Sequence, residues 1–275
     1  MVALIRHMTS SDVDAVTSVV NAGGWGYRRD WFAFATRHEQ CMPFVAEVDG
    51  AIAGTAVATA NGHAGWIGTV FVAPGSRGRG IGGALTDAAI EALVDAGCGT
   101  LVLVATEEGR PMYERRGFVV ETSYLILEAD GTGSDATPLQ PFRADDLDSM
   151  LALDRAASGE DREHLVRALA SAAAARTLPG DDGALRGFIV RAPWGGAATV
   201  APRYEDGLAI LEARRMAAPA GKTVRAGVLA DNGEAINHLL ATGWRETRRA
   251  PRLVRGDRLD WRPTWLWGQF NFAMG

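Results

Sequence analysis

The run Val70-Phe-Val-Ala-Pro-Gly-Ser-Arg-Gly-Arg-Gly-Ile-Gly-Gly-Ala-Leu85 passes from an apolar strand pattern through a Pro-Gly turn into glycines at 78, 80, 82 and 83, then into helical periodicity. Glycine lets a backbone take positive φ and approach a ligand closely, and a helix start offers free N–H groups and the positive end of a dipole. Phosphate is the natural guest of such a turn. Arg77 and Arg79 add charge to a dipole contribution of about 0.3 to 1 kcal/mol. A nucleotide-hydrolase P-loop is excluded, because Gly82-Gly83-Ala84 supplies neither the lysine nor the hydroxyl that reach the terminal phosphates and magnesium. Gly78-x-Gly80-x-x-Gly83 does match a dinucleotide fingerprint, with Glu107 near the end of the next strand as a ribose-binding acid. Against that reading, five residues separate Val72 from Gly78, and the preceding strands look hairpin-linked.

Around this turn the first half reads as a mixed α/β (α+β) unit. A short apolar run from Val2 to Arg6 leads through Ser10 or Ser11 into a helical pattern of valines at 13, 16, 19 and 20. After the glycine-rich loop from Asn21 to Tyr27, Asp30 caps a second helix to about Glu39. Three strand-like runs follow at Phe44 to Glu47, Ile52 to Thr59 and Trp66 to Val72. Asp49-Gly50 and Asn61-Gly62 join them as an antiparallel meander. A helix to Asp95, a strand from Thr100 to Ala105, a short helix from Pro111 to Arg116 and a last strand pair after Gly117 complete the pattern.

The Gly, Ser, Thr, Asp and Pro run ending at Pro138 reads as a connector. It divides the chain into residues 1–129, a linker at 130–138, and residues 139–275. The second part repeats the first more faintly. Asn232 to Trp244 aligns without a gap on Thr106 to Phe118, each after a strand, so an internal duplication is expected. Its copy has no glycine-rich turn between Gly196 and Glu205, and Leu239 stands where the first part has Tyr113. The alanine-rich segment from Leu165 to Ala175 reads as a helix, and Trp265 to Phe272 as a final strand.

Two separated motifs then agree. Arg77-Gly-Arg-Gly80-Ile-Gly82 after the strand, and Tyr113-Glu-Arg-Arg-Gly-Phe118 some thirty residues on, resemble the GNAT superfamily of acetyl-CoA-dependent N-acetyltransferases over about residues 2 to 127. The doubled arrangement resembles bacterial tandem GNAT proteins with a degenerate second half. The resemblance implies two GNAT-like domains, each a mostly antiparallel mixed sheet flanked by helices. It implies that backbone groups of Val70, Phe71 and Val72 pair with the pantetheine arm of acetyl-CoA. Arg77, Gly78, Arg79, Gly80, Ile81, Gly82 and Gly83 would hold its diphosphate, and Thr106 stands where many relatives have a pantetheine-contacting Asn. Tyr113 matches the usual general acid. The implied reaction is acetyl transfer to a primary amine of a small molecule or peptide end. A non-catalytic acetyl-CoA-binding sensor is the alternative from another class, and a nicotinamide-binding oxidoreductase trails both.

No acid occurs in Trp66 to Val72, where many relatives place a base, so Glu47, His63, Asp30 or the end of the chain at Gly275 are the remaining candidates. Trp25, Tyr27 and Trp31 fit either an acceptor pocket or a core. A net charge of -5 argues against nucleic-acid or anionic-membrane partners, which call for a basic face. No apolar run reaches the length of a membrane span, and the first residues lack a signal-peptide core, so a cytoplasmic location is expected. The five histidines show no metal-ligand spacing. Cys41 and Cys98 read as small buried hydrophobes. A homo-oligomer is neither required nor excluded by the sequence.

Overall fold

The computed structural model describes residues 3–134, 137–181 and 183–275. Val2 of the first apolar run and Asp135 and Ala136 of the connector lie outside the described residues. The first half contains β1 (Leu4–His7), α1 (Val13–Val20), α2 (Arg29–Ala35), β2 (Cys41–Val48), β3 (Ala51–Asn61), β4 (Ala64–Val72), α3 (Ile81–Asp95), β5 (Thr100–Val104), α4 (Arg110–Glu114) and β6 (Val119–Asp130). The second contains β7 (Gln140–Pro141), α5 (Leu147–Ser158), α6 (Glu163–Leu169), β8 (Ala175–Pro179), β9 (Leu185–Arg191), β10 (Ala197–Val200), α7 (Tyr204–Ala217), β11 (Thr223–Leu229), α8 (Gly233–Ala241) and β12 (Arg245–Gly256). The element order is the same in both, and a short β13 (Leu266–Gly268) follows. The duplication read from the sequence is thus present in the architecture.

Local chemistry accounts for the meander. Asp49 and Gly50 both take positive φ, at 52° and 77°, which the tight hairpin between β2 and β3 requires, and Gly62 at 66° turns β3 into β4. Beyond the meander the partners come from far along the chain. An eight-stranded sheet runs β1-β2-β3-β4-β5-β12-β6-β11, and a five-stranded sheet runs β13-β10-β9-β8-β7. Strand β12 of the second half lies between β5 and β6 of the first, with Arg252 opposite Val104 and Ala250 opposite Tyr124. Strand β6 lies in turn between β12 and β11, so each half lends its last strand to the other. The expected strand pair after Gly117 is therefore corrected: one long strand is present, and its neighbours are both from the second half. Its sequence suits a central position. Tyr124 to Leu127 are all buried, with Tyr124 and Ile126 on one core and Leu125 and Leu127 on another.

Two other expectations change. Helix α6 stops at Leu169, and Ala175 opens β8 opposite Val190, so sheet pairing overrides the helix propensity of the alanines. Of Trp265 to Phe272 only Leu266–Gly268 is strand. Cys41 and Cys98 are buried free thiols, and no helix among the described residues is long and apolar enough to cross a membrane.

A buried polar cluster joins the halves. Glu160, between α5 and α6, is 4% exposed and accepts hydrogen bonds from Asn61 Nδ2 at 2.7 Å and from Trp66 Nε1 at 2.9 Å. The Asn61 amide also donates to the Met274 carbonyl at 3.0 Å. Close by, Arg162 pairs with Asp154 at 2.6 Å and donates to Gln269, whose amide donates to the Tyr124 hydroxyl at 2.8 Å. Burial holds the Glu160 carboxyl above its ordinary pKa, with the Arg162 charge opposing.

Two outcomes follow from this architecture. Residues 1–130 expressed alone leave β5 and β6 without the strand between them, so no cooperative monomeric unfolding transition is expected in urea. A soluble, two-state monomer would contradict the strand exchange. Glu160→Ala orphans donors at roughly 1 to 3 kcal/mol each, whereas Glu160→Gln keeps the acceptor. Because the folded carboxyl binds its proton more readily than the unfolded one, its contribution is lost as pH rises through the folded pKa. Urea unfolding at pH 5 and pH 8 should show wild type losing more stability across that interval than Glu160→Gln.

Candidate active site

Strands β4 and β5 pair in parallel only from Ala64 opposite Thr100 to Ile67 opposite Leu103. Beyond that point β4 continues to Val72 while β5 ends at Val104, and the two diverge. A register shift against β3 marks the divergence, with Thr55 opposite Phe71 but Val57 opposite Gly68. At this bulge Thr69 takes φ 51°, a strained value for a β-branched residue, and Trp31 Nε1 donates to its Oγ1 at 3.0 Å. The edge of Gly68 to Val72 that faces the gap is left without a β5 partner.

The turn after β4 leads to the start of α3. Gly78 and Gly80 have φ 74° and 79°, and Gly80 is a left-handed N-cap with no side-chain hydrogen bond to the first turn. The helix's own bonding begins with the Ala84 amide on the Gly80 carbonyl, so the N–H groups of Ile81, Gly82 and Gly83 are free to bind an anion. Arg116 lies across Gly83: an added Cβ would stand 2.6 Å from its Nη2, and its Nε pairs with Asp87 at 2.6 Å. A side chain at 83 would therefore displace the Arg116 guanidinium.

These elements enclose a cavity of about 1110 Å³. Val70, Phe71, Val72, Arg77, Gly78, Gly80, Ile81, Gly82, Gly83, Thr106 and Tyr113 line it, while Arg79 is exposed and outside the wall. Tyr113, on α4, is 8% exposed and packs edge-on against Phe118. Burial pushes its pKa up to about 12 against the nearby Arg116 charge, so the phenol keeps its proton at neutral pH. The Thr106 hydroxyl accepts the Gly109 amide at 3.1 Å and shapes the entry to α4. The three aromatics of the first loop part company. Trp25 lines the cavity with its ring 5.4 Å from that of Phe71, Trp31 is core, and Tyr27 is 72% exposed away from the wall.

None of the base candidates lines the cavity. Glu47 pairs with Arg6 at 3.1 Å, exposed His63 lies 3.1 Å from Asp257, and Asp30 is exposed in the first turn of α2. Gly275 is buried beside Trp66 and Glu160. Among the described residues the wall holds one carboxylate, Glu108.

The opposite wall had no signal in the sequence. It comes from the end of the chain and from the β9–β10 turn, with Trp194, Gln269, Asn271 and Phe272 among its residues. The tail passes so close to β4 that a Cβ at Gly68 would stand 2.4 Å from the Phe272 carbonyl oxygen. In the second half the corresponding gap is filled by the chain itself. Strand β13 pairs with β10, Thr199 opposite Gly268, and the Trp267 indole packs on Gly207 of α7 and donates to the Ala201 carbonyl at 3.2 Å. Leu239, at the position matching Tyr113, is fully buried.

Residues 11–118 match the model of the acetyltransferase (GNAT) family, so the first half is a GNAT acetyltransferase domain. No curated protein matches the chain. Among solved structures, a candidate acetyltransferase from Pyrococcus horikoshii is 18% identical, with a TM-score of 0.82 over 99% of this chain and 96% of its own. A tandem GNAT protein from the clavulanic acid biosynthesis pathway is 14% identical, with a TM-score of 0.59 over 93% and 98%. A GCN5-related N-acetyltransferase from Anabaena variabilis is 12% identical, with a TM-score of 0.59 over 92% and 72%. At these identities the likeness is one of fold, and it spans both halves. Trp31→Phe removes the donor to Thr69; it should lower the unfolding free energy by about 1 kcal/mol and speed hydrogen exchange at the Val70 to Val72 amides, measured by NMR.

Proposed function

We propose that this GNAT-domain chain transfers an acetyl group from acetyl-CoA to a primary amine of a small molecule or a peptide end. The observation that carries the reading is the gap between β4 and β5, which has a glycine-lined helix start at one end and a protonated phenol in its wall. An extended amide-bearing arm fits an unpaired strand edge, because Gly68 to Val72 has N–H and C=O groups to offer it. The amides of Ile81, Gly82 and Gly83, with Arg77, suit a diphosphate. Bound there, acetyl-CoA supplies an acyl group already activated as a thioester.

The chain's residues then have separate tasks. The Val72 N–H, or that of a neighbour on β4, polarises the carbonyl under attack. As the amine nitrogen bonds to the acetyl carbon and the C–S bond breaks, Tyr113 gives its proton to the departing sulfur, and the proton shed by the nitrogen restores the phenol by way of solvent. The amine must arrive uncharged. With no carboxylate on β4, a low acceptor pKa is favoured: an α-amine near 7.8 is neutral in about one molecule of seven at pH 7, a lysine-like amine near 10.4 in roughly one of 2,500.

Thiol release from acetyl-CoA across a panel of amines tests this reading. Turnover is expected with at least one amine, and Tyr113→Phe should lower kcat by about 10² to 10⁴ while leaving coenzyme affinity unchanged. Coenzyme binding without thiol release above background, equal in wild type and Tyr113→Phe, would instead identify an acetyl-CoA sensor.

A further inference from the structure

We propose that the amine acceptor carries an acid group, a carboxylate or a phosphate, held by Arg28 and Arg248 on the far side of the β4–β5 gap from the coenzyme turn. This rests on the acetyl-transfer reading and names its substrate class. The starting point is a charge imbalance. The chain has a net charge of -5, yet its cavity wall carries seven arginines against the carboxylate of Glu108.

Most of those arginines are accounted for. Arg116 is paired with Asp87 and Arg225 with Glu128. Arg77 donates to the Val72 carbonyl at 3.2 Å beside the glycine turn, and Arg115 closes α4 on the same side, where a diphosphate would meet them. Arg214 belongs to α7 of the second half. Arg28 and Arg248 are neither at the glycine turn nor paired with a carboxylate among the described residues.

Both lie on the α1–α2 side of the large sheet. On β12, Arg248 stands opposite Ile126 of β6, and cross-strand partners share a face. Ile126 in turn shares a core with Trp31 and Phe71. The register also sets the depth: Arg252 is opposite Val104, so Arg248 lies beyond the end of β5, alongside the gap. Arg28 enters from the connection into α2, where its Nε donates to the Trp25 carbonyl at 2.9 Å and its guanidinium stands 6.0 Å from the Trp25 ring centroid. That ring packs on Phe71. Arg28 is thus tied to the β4 segment at which the amine would arrive.

Neither arginine has a carboxylate partner among the described residues. Arg28 is half-buried, and its pKa is lowered first by burial and then by the Arg248 charge. A half-buried guanidinium facing the charge of a second, exposed one leaves a positive potential at this part of the wall, with no carboxylate paired to either among the described residues. Their planar forks match carboxylate and phosphate oxygens. A neutral acceptor would leave that potential unanswered, and an acidic one would meet it.

Matched amines test the proposal on the full chain saturated with CoA, so that the coenzyme's own phosphates occupy the α3 side. The pairs are O-phosphoethanolamine with ethanolamine and β-alanine with β-alaninamide, titrated by calorimetry. The acid-bearing member of at least one pair should bind about tenfold more tightly, and the pair that responds distinguishes phosphate from carboxylate. Arg28→Gln and Arg248→Gln should each remove most of that preference while CoA affinity stays within about twofold. Equal binding or no binding in both pairs, or a preference that survives both substitutions, overturns the proposal. Failure of the acetyl-transfer reading appears separately, as absent thiol release, because these titrations need no turnover.

Discussion

The antiparallel pairing of β6 with β12 is the contact around which the molecule is organised. From Val119 opposite Val254 to Glu128 opposite Arg245 the two strands run side by side, interrupted by two register shifts. Neither strand belongs to the half it completes. This makes the large sheet continuous across the duplication, so the geometry of the β4–β5 gap depends on a strand encoded some 140 residues later. Closing so long a loop costs little more than closing a short one, since the entropic penalty grows only with the logarithm of length.

That shared sheet lets the two copies diverge. In the first, β4 bulges at Thr69 away from β5, and the opening is lined by glycine and backbone amides. In the second, β13 and the Trp267 indole occupy the equivalent opening, and a glycine at 207 makes room for the indole. The chain then crosses from one opening to the other, so the segment that fills the second gap goes on to wall the first. Gln269, bonded to Tyr124 and Arg162, anchors the crossing in the buried polar cluster. Filling of the opening in one copy and completion of the pocket in the other are two consequences of the same few residues.

Electrostatically the cavity is the reverse of the whole chain. Its wall is cationic where the protein is acidic overall, and burial raises the pKa of its phenol despite the Arg116 charge. Such a site suits an anionic ligand, and under the proposed reaction Tyr113 is its proton donor. The family motif accounts for the cations near α3. It is silent about those across the sheet, because they sit on α2's approach and on β12, elements that meet only in the folded chain.

By itself the sequence determined what adjacent residues decide together. The hairpins at Asp49-Gly50 and Gly62, the left-handed glycines before α3, the helix through Asp95 and the placing of Tyr113 behind Thr106 all follow from backbone preferences and spacing within a few residues. Only the tertiary structure decided which strand lies beside β6, that Ala175 is strand rather than helix, where Trp267 goes, that Thr69 bulges, and that Arg28 and Arg248 line one cavity. Apolar patterning marks Tyr124 to Leu127 as buried on both faces. It carries no label for the partner, because an unpaired strand edge offers the same hydrogen bonds to a neighbour close in sequence or far away.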